Sequence, residues 1–336
     1  MTAQGRRRVR SIFVSDLHLG YRGADIAALN AFLCEHDFTH LYLVGDILDG
    51  WKLESRWYWN RDYSALVDLL LDRRRQRSRI TLITGNHDER LREVLAVLFR
   101  PVLLRRFGIR VEERIVHRAQ DGRRYLVMHG DQFDGRLVRG TSKLADRLWS
   151  WLGEKALVRP RRAVTLQAGR RRRWSLGKAI AQNGQALLAR YSASALRRAR
   201  IDGVDGIVCG HSHVPGLSRH GGVMLANCGS WTGARAPGEA HTAVIETTDG
   251  RFEIVRIPAR RAAPGDARLR CLPPDRPGTR HPDAARLVRL IHALWAPALQ
   301  PGMDSRTSEP QALPPALPQT LSSALPAPTA AAIRRA

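Results

Sequence analysis

The 336-residue chain is 43% hydrophobic, which predicts a globular fold with ample material for a buried core. Its 55 Lys+Arg against 31 Asp+Glu leave a net charge of +24, which points to polyanionic partners: nucleic acid, a phosphorylated substrate or an anionic membrane surface. No apolar run approaches the roughly 18 residues of a membrane span, so a transmembrane protein is excluded and a soluble or surface-bound one is expected.

The opening "MTAQGRRRVR" is basic and carries twin arginines, but only four apolar residues, "SIFV", follow it, too few for an export signal. Six short apolar runs then recur, each ending at small or polar residues. They are "SIFVSDLH" (11–18), "LYLVGDILD" (41–49), "ITLITGNHD" (80–88), "YLVMHGD" (125–131), "GIVCGHSH" (206–213) and "VMLANCGS" (223–230). Short, nearly continuous apolar stretches predict strands buried on both faces, and helical patterns at Ile26–Phe32 and Tyr63–Arg75 lie between them. The expected fold is α/β with a layered sheet, its sites outside the carboxyl ends of the strands. Trp51, Trp57, Tyr58 and Trp59 cluster just after the second run, either flanking a substrate or forming an apolar packing patch. Cys34, Cys209, Cys228 and Cys271 show no Cys-x-x-Cys spacing and read as reduced thiols of a cytosolic protein.

Residues 136–200 hold 17 Lys+Arg and only 2 Asp+Glu, most of the chain's excess charge. Leu137, Leu144, Leu148, Trp151 and Leu152 fall on one helical face, and Leu176, Ile180, Leu187 and Tyr191 on another, with "GRRRRW" (169–174) between. This predicts an inserted basic helical subdomain, with ordinary surface helices as the alternative. From Pro258 onward lie 14 of the 18 prolines, a composition that predicts a disordered tail. Within it "ARLVRLIHALW" (285–295) is amphipathic and suits either a membrane surface or packing on the domain.

The unusual polar residues gather at the strand ends: Asp16 and His18, Asp46 and Asp49, Asn86, His87 and Asp88, His129, and His211 with His213. Any one of them has an ordinary explanation, such as a helix cap at Asp46 or a turn at Asn86. Five strand ends each delivering oxygen or imidazole donors are another matter, since that many carboxylates buried together call for cations. Hard oxygens mixed with imidazoles, without thiolate, suit Mn²⁺, Fe²⁺ or Zn²⁺.

Taken in order, "DLH", "GDILD", "GNHD", "HGD" and "GHSH" resemble the calcineurin-like metallophosphoesterase superfamily over residues 11–256. The resemblance implies a β-sandwich flanked by helices (αββα) and two divalent metal ions, Mn²⁺ foremost. Asp16, His18 and His213 would hold one metal and Asn86, His129 and His211 the other, with Asp46 bridging. Hydroxide from a bound water would attack phosphorus. His87, oriented by Asp49, would stand beside the leaving group, and Asp88 and Asp131 would orient ligands.

Within the superfamily, "LYLVGDILDGW", "SRWYWN", "YLVMHGDQFD", "WSL" and "DGIVCGHSHVP" are similar to the UDP-2,3-diacylglucosamine diphosphatase group. That likeness implies a lipid-linked substrate, a lid at 136–200, an anionic membrane surface as partner, no obligate protein partner, and a peripheral place on the cytoplasmic face of the inner membrane. The tail, 257–336, lies beyond what catalysis requires. The chain departs from this group by carrying His87 where its enzymes have Arg. A nuclease or general phosphodiesterase with the same metal centre is the first alternative, and a non-catalytic binding module the second.

Overall fold

Strand after strand in the computed structural model is apolar on both faces, because each of two sheets is covered twice. The structure describes residues 5–50, 53, 58–88, 100–133, 188–233, 240–258 and 282–295, all within the compact unit Met1–Leu299. The first sheet has the order β11-β10-β1-β2-β3-β4. Its parallel members are β1 (Arg7–Val14), β2 (His36–Val44), β3 (Arg79–Ile83) and β4 (Ile109–Glu112), and β10 (Ala240–Glu246) and β11 (Phe252–Pro258) add on antiparallel. The second sheet has the order β5-β6-β7-β9-β8, with β6 (Arg124–Met128), β7 (Gly206–Cys209) and β9 (Val223–Asn227) parallel. Its edges, β5 (Arg114–Arg118) and β8 (Gly216–His220), are antiparallel.

Strand periodicity distributes side chains among three cores. In β1, Phe13 enters the core between the sheets, where its ring stacks on Tyr42 at 4.7 Å, while Ile12 and Val14 face the outer helices. In β7, Val208 points into the sandwich, and Ile207 and Cys209 point to the far side. The outer face of the first sheet is covered by α1 (Ile26–Glu35) and α2 (Arg61–Arg75), capped by Asp25 and Asn60 respectively. A helix over 188–201, α3, covers the second sheet through Tyr191, Ala195 and Ala199. The result is helix, sheet, sheet, helix: the expected αββα sandwich.

Three expectations change. Of the basic insert expected at 136–200, only 188–200 is among the described residues. There Tyr191 belongs to the second sheet's outer core rather than to a lid, because its neighbours Ala195 and Ala199 let the helix sit close on β6 and β7. The apolar positions from Leu137 to Leu187 lie outside the described residues.

The boundary at 257 also moves. Residues 257–258 close β11, and Pro282–Trp295 forms α4, whose Ala284 and Leu287 are buried in the core beside α1 and α2. That apolar face is therefore occupied by the domain itself. Finally, Cys34 is disulfide-bonded, with its partner outside the described residues, while Cys209 and Cys228 are free and buried. Local cysteine spacing cannot reveal a pairing between distant segments.

Away from the expected donor residues, Glu246 closes β10 and is buried without exposure. Its carboxylate accepts from Ser11 Oγ (2.7 Å), Gln120 N (2.8 Å) and His117 Nε2 (2.8 Å), and Arg10 Nε lies 3.2 Å away. Tyr42 OH, 3.0 Å from His117 Nδ1, completes the tautomer that satisfies both ring nitrogens. Burial opposes ionisation, but the His117 and Ser11 hydrogen bonds prevail and hold Glu246 below the usual carboxylate range. A depressed folded pKa gives stability that is present above the unfolded value near 4.3 and is lost as pH falls through the folded value. Glu246→Gln is expected to cost about 2 kcal/mol at neutral pH and to flatten the acid limb of a urea-denaturation series.

Candidate metal centre

The donors sit where the parallel strands stop. β1 ends at Val14, and Asp16 and His18 follow; β2 ends at Val44, before Asp46 and Asp49; β3 ends at Ile83, before Asn86 and His87. The second sheet contributes His129 after β6 and His211 and His213 after β7. Among the described residues six non-glycines have positive φ, and five of these are Asp16 (54°), His18 (47°), Asp46 (51°), His211 (66°) and His213 (56°). Left-handed backbone costs such residues on the order of 1–3 kcal/mol each. Five at one end of a sandwich mean that the chain is bent to aim these side chains together.

They meet in three clusters, one of which joins His18, Asp49 and His87, while the other two are the donor sets expected for metals. The ligating atoms of Asp16, His18 and His213 lie within 4.8 Å of one another, as do those of Asp46, His129 and His211. Asp46 Oδ2 stands between the sets, 3.2 Å from His129 Nε2 and 3.9 Å from His18 Nε2. Asn86 Oδ1 is 3.2 Å from His129 Nε2, so it faces the same point as the second set. His129 is oriented from behind by Val44 O, 3.0 Å from its Nδ1. His213, with its side chain 46% exposed, forms the open side, whereas Asp16 and His129 are fully buried.

His87 Nδ1 lies 3.4 Å from Asp49 Oδ1, as expected for an oriented imidazole. Asp49 does more than that: its Oδ2 is 3.6 Å from His18 Nδ1, so one carboxylate positions two rings, packed edge to face at 4.6 Å. Asp88 accepts from the backbone N–H groups of Leu48 (2.9 Å), Gly85 (3.1 Å) and Ile47 (3.2 Å), tying the second motif to the third. Asp131 opens a 3-10 turn, and its charge favours a protonated His129. Of the aromatic cluster, Tyr58 and Trp59 pack edge-on against Tyr63 in the core around α1 and α2, while Trp51 and Trp57 lie outside the described residues.

The electrostatics are those of a cation site. Burial disfavours ionised Asp16, yet His213 holds it down at about 2. Asp46 is likewise buried, and His129 keeps it well below the usual carboxylate range. Burial also disfavours charged imidazoles, but Asp49 pushes His18 up to about 9 and Asp46 pushes His129 up to about 10. Asp88, buried and beside Asp46, rises to about 6. Asp16 Oδ1 faces His213 Nε2 at 3.0 Å, and the buried His18 Nε2 makes no hydrogen bond. Ionised carboxylates facing strongly basic imidazoles fit divalent cations, whose binding releases imidazole protons.

A family model described as calcineurin-like phosphoesterase matches residues 9–215. The chain belongs to the calcineurin-like phosphoesterase family. Its members are typically hydrolases, and the match spans every motif described above. No curated protein matches the chain with significance. Among solved structures, Vps29 from Entamoeba histolytica is similar at 15% identity, over 74% of this chain and 98% of its own, with a TM-score of 0.35. An archaeal phosphodiesterase is similar at 12% identity, over 74% and 99%, with a TM-score of 0.37. A hypothetical protein from Pyrococcus horikoshii OT3 is similar at 9% identity, over 76% and 89%, with a TM-score of 0.40.

One positioning residue of this phosphoesterase escapes the sequence reading. Asn227 ends β9, and its Nδ2 donates to Gly210 O (2.6 Å) and Ser212 Oγ (3.0 Å), while its Oδ1 accepts from Gly229 N (3.0 Å). It clasps the loop that carries His211 and His213. The signal was present, since "VMLANCGS" ends at polar residues like the other strands, but an amide without a neighbouring imidazole reads as a turn. Asn227→Ala is expected to lower kcat/KM about 10–100-fold with the fold retained. Asn227→Asp, which keeps the size but loses the donors, is expected to behave alike in the same kinetic assay.

Proposed function

We propose that this chain is a dimetal phosphoesterase acting on the diphosphate of UDP-2,3-diacylglucosamine or a similar nucleotide-linked lipid. The observation that carries the phosphoesterase reading is Asp46, standing between two donor sets drawn from five strand ends. The donor chemistry favours Mn²⁺, with Fe²⁺ or Zn²⁺ suited to the same groups. When bound, such a pair supplies Lewis acidity and an activated water. Asp16, His18 and His213 would hold one ion and Asn86, His129 and His211 the other, with Asp46 near enough to serve either. His87 keeps Nδ1 on Asp49 and turns Nε2 toward the centre, 3.9 Å from Asp46 Oδ2, where it holds a proton for the departing oxygen. No side chain is needed as a covalent nucleophile.

The lipid substrate is supported by the longer motif likeness around "LYLVGDILDGW" and "DGIVCGHSHVP". The charge of +24 supports attraction to an anionic membrane. Among the described residues no helix is long and apolar enough to cross a membrane, and this reading has the protein on the cytoplasmic face of the inner membrane, held by charge.

The test is incubation of the full chain with Mn²⁺ and UDP-2,3-diacylglucosamine in detergent, followed by detection of UMP and the diacylglucosamine 1-phosphate. Turnover that disappears in Asp46→Asn supports both parts of the reading. Turnover of a short DNA or a generic phosphodiester alone keeps the metal mechanism and transfers the substrate to the first alternative, which the charge also favours. Absence of both, together with absence of bound metal, identifies a binding module.

A further inference from the structure

Asp16 keeps a left-handed backbone, φ 54°, a conformation in which a non-glycine persists only where its surroundings hold it. Its N–H donates to Gly45 O of the second motif at 3.1 Å. Its carbonyl is held by the segment that leaves β9: Trp231 N donates to Asp16 O at 3.2 Å and Ser230 Oγ at 3.3 Å. Each carbonyl of this strap, 228–231, is taken by a different donor. Thr242 Oγ1 donates to Cys228 O (2.7 Å), Ser15 Oγ to Gly229 O (2.9 Å), His241 Nδ1 to Ser230 O (3.2 Å) and Asp25 N to Trp231 O (2.9 Å). A carbonyl only accepts, so Nδ1 of His241 carries the hydrogen in that bond. His241 is 1% exposed, its ring stacks on the buried Trp231 ring at 5.2 Å, and its Nε2 faces Asp25 Oδ2 at 3.2 Å.

We propose that His241 is a positioning residue for the first donor set, fixing through the 228–231 strap the backbone from which Asp16 presents its carboxylate. The inference rests on the dimetal reading and adds to it a residue outside the five motifs. The Asp16 carboxylate is aimed together with its peptide: Oδ2 accepts from His211 N at 3.1 Å, and Oδ1 faces His213 Nε2 at 3.0 Å. If the strap slackens, the Asp16 carbonyl is released and the left-handed turn loses one of its two backbone anchors. His241 opposes this from both ring nitrogens. Nδ1 holds Ser230 O, and Nε2 pairs with Asp25, whose own N–H holds the next carbonyl of the strap. His129, in the second donor set, is held separately by Val44 O, so the effect falls on one ion.

The experiment is Mn²⁺ binding to the full chain, for wild type, His241→Asn and His241→Gln, read by titration calorimetry and electron paramagnetic resonance. An asparagine amide reaches the place of Nδ1 and a glutamine amide that of Nε2. His241→Asn therefore keeps the donor to Ser230 O, and His241→Gln keeps only the contact to Asp25. Wild type and His241→Asn are expected to bind two ions alike. His241→Gln is expected to bind one of them about 10–100-fold more weakly, and to show the spectrum of an isolated Mn²⁺ where wild type shows a coupled pair. Each substitution removes one of the ring's two hydrogen bonds, so similar urea midpoints with unequal metal binding separate positioning from folding. His213→Ala removes a donor of the first set alone, and adding His241→Gln to it is expected to change metal content no further. Unchanged binding in His241→Gln, an equal loss in His241→Asn, or loss of both ions in the double variant overturns the proposal while the metal centre stands. A wild type that binds no pair of ions overturns the dimetal reading and the proposal with it. Should His241→Gln fail to fold, Ser230→Ala, which removes the hydroxyl from Asp16 O, decides by the same readouts: one ion weakened supports the strap, and unchanged binding overturns it.

Discussion

Asp46→Asn is expected to leave the sandwich folded and to lower turnover by more than about 10²-fold, the upper end for residues that only orient a metal ligand. Asn keeps the Oδ1 that accepts from His87 N at 2.9 Å, so the connection between the second and third motifs survives. What disappears is the negative charge facing His129 Nε2 at 3.2 Å and His18 Nε2 at 3.9 Å. The imidazoles, His129 foremost, hold Asp46 well below the usual carboxylate range, its charge in turn raises His18 and His129, and among the described residues it is the carboxylate placed between those two rings. Metal content by mass spectrometry is expected to fall by at least one ion per chain, in step with activity. A variant that retains both ions and full turnover would show that Asp46 is a structural carboxylate and would sink the shared-ligand assignment.

Gly45→Ala is expected to cost both stability and metal binding, and a second glycine separates the causes. Gly45 has φ +79°, and a Cβ there would stand 2.3 Å from His129 Cγ and Nδ1. The ring cannot retreat: it is fully buried, held by Val44 O at 3.0 Å, and packed against His211 at 5.1 Å. Overpacking a buried site costs roughly 1–3 kcal/mol, and left-handed backbone adds its own penalty of about 1 kcal/mol. Gly122 has a similar φ, +83°, with nothing within 4 Å of its Cβ position, so Gly122→Ala incurs only the backbone penalty. Urea denaturation of both variants, together with metal content, is the measurement. The expected difference is an extra loss of about 1–3 kcal/mol for Gly45→Ala, accompanied by loss of metal. Equal stabilities and intact metal content in the two would show that His129 is not confined by the second motif.

The strands that the sequence shows most clearly are those buried on both faces. β1, β2, β3, β6, β7 and β9 all fall in apolar runs and all form the inner, parallel parts of the sheets. β4, β5 and β8 escape that reading because they are edges: "RIVHR" alternates with polar residues, and every residue of β8 is exposed. β10 and β11 escape it as well: the polar end of β10, "ETTDG", reads as a turn and brings no imidazole to mark it as part of a site. The α4 helix was legible as an amphipathic pattern, but whether its apolar face met lipid or protein depended on α1 and α2, far away in sequence. Tyr191 matched a helical stripe in either case, and only the small residues Ala195 and Ala199, seated on β6 and β7, show that its helix belongs to the domain.

Donor chemistry is local and ordered along the chain, so the sequence by itself determined the family, the strand-end residues and the kind of cation they suit. Each motif is a strand followed by a turn, and a turn's residues can be read without knowing what lies opposite. Only the tertiary structure decided how the donors divide. Asp49 serves two imidazoles, Asp88 holds backbone rather than ligands, and Asn227 clasps the histidine loop, because these contacts join residues 15 to 41 positions apart. The left-handed backbone at Asp16, His18, Asp46, His211 and His213 belongs to the same class. No side-chain pattern encodes that strain, since it is imposed from outside by the two sheets closing on one another around the centre.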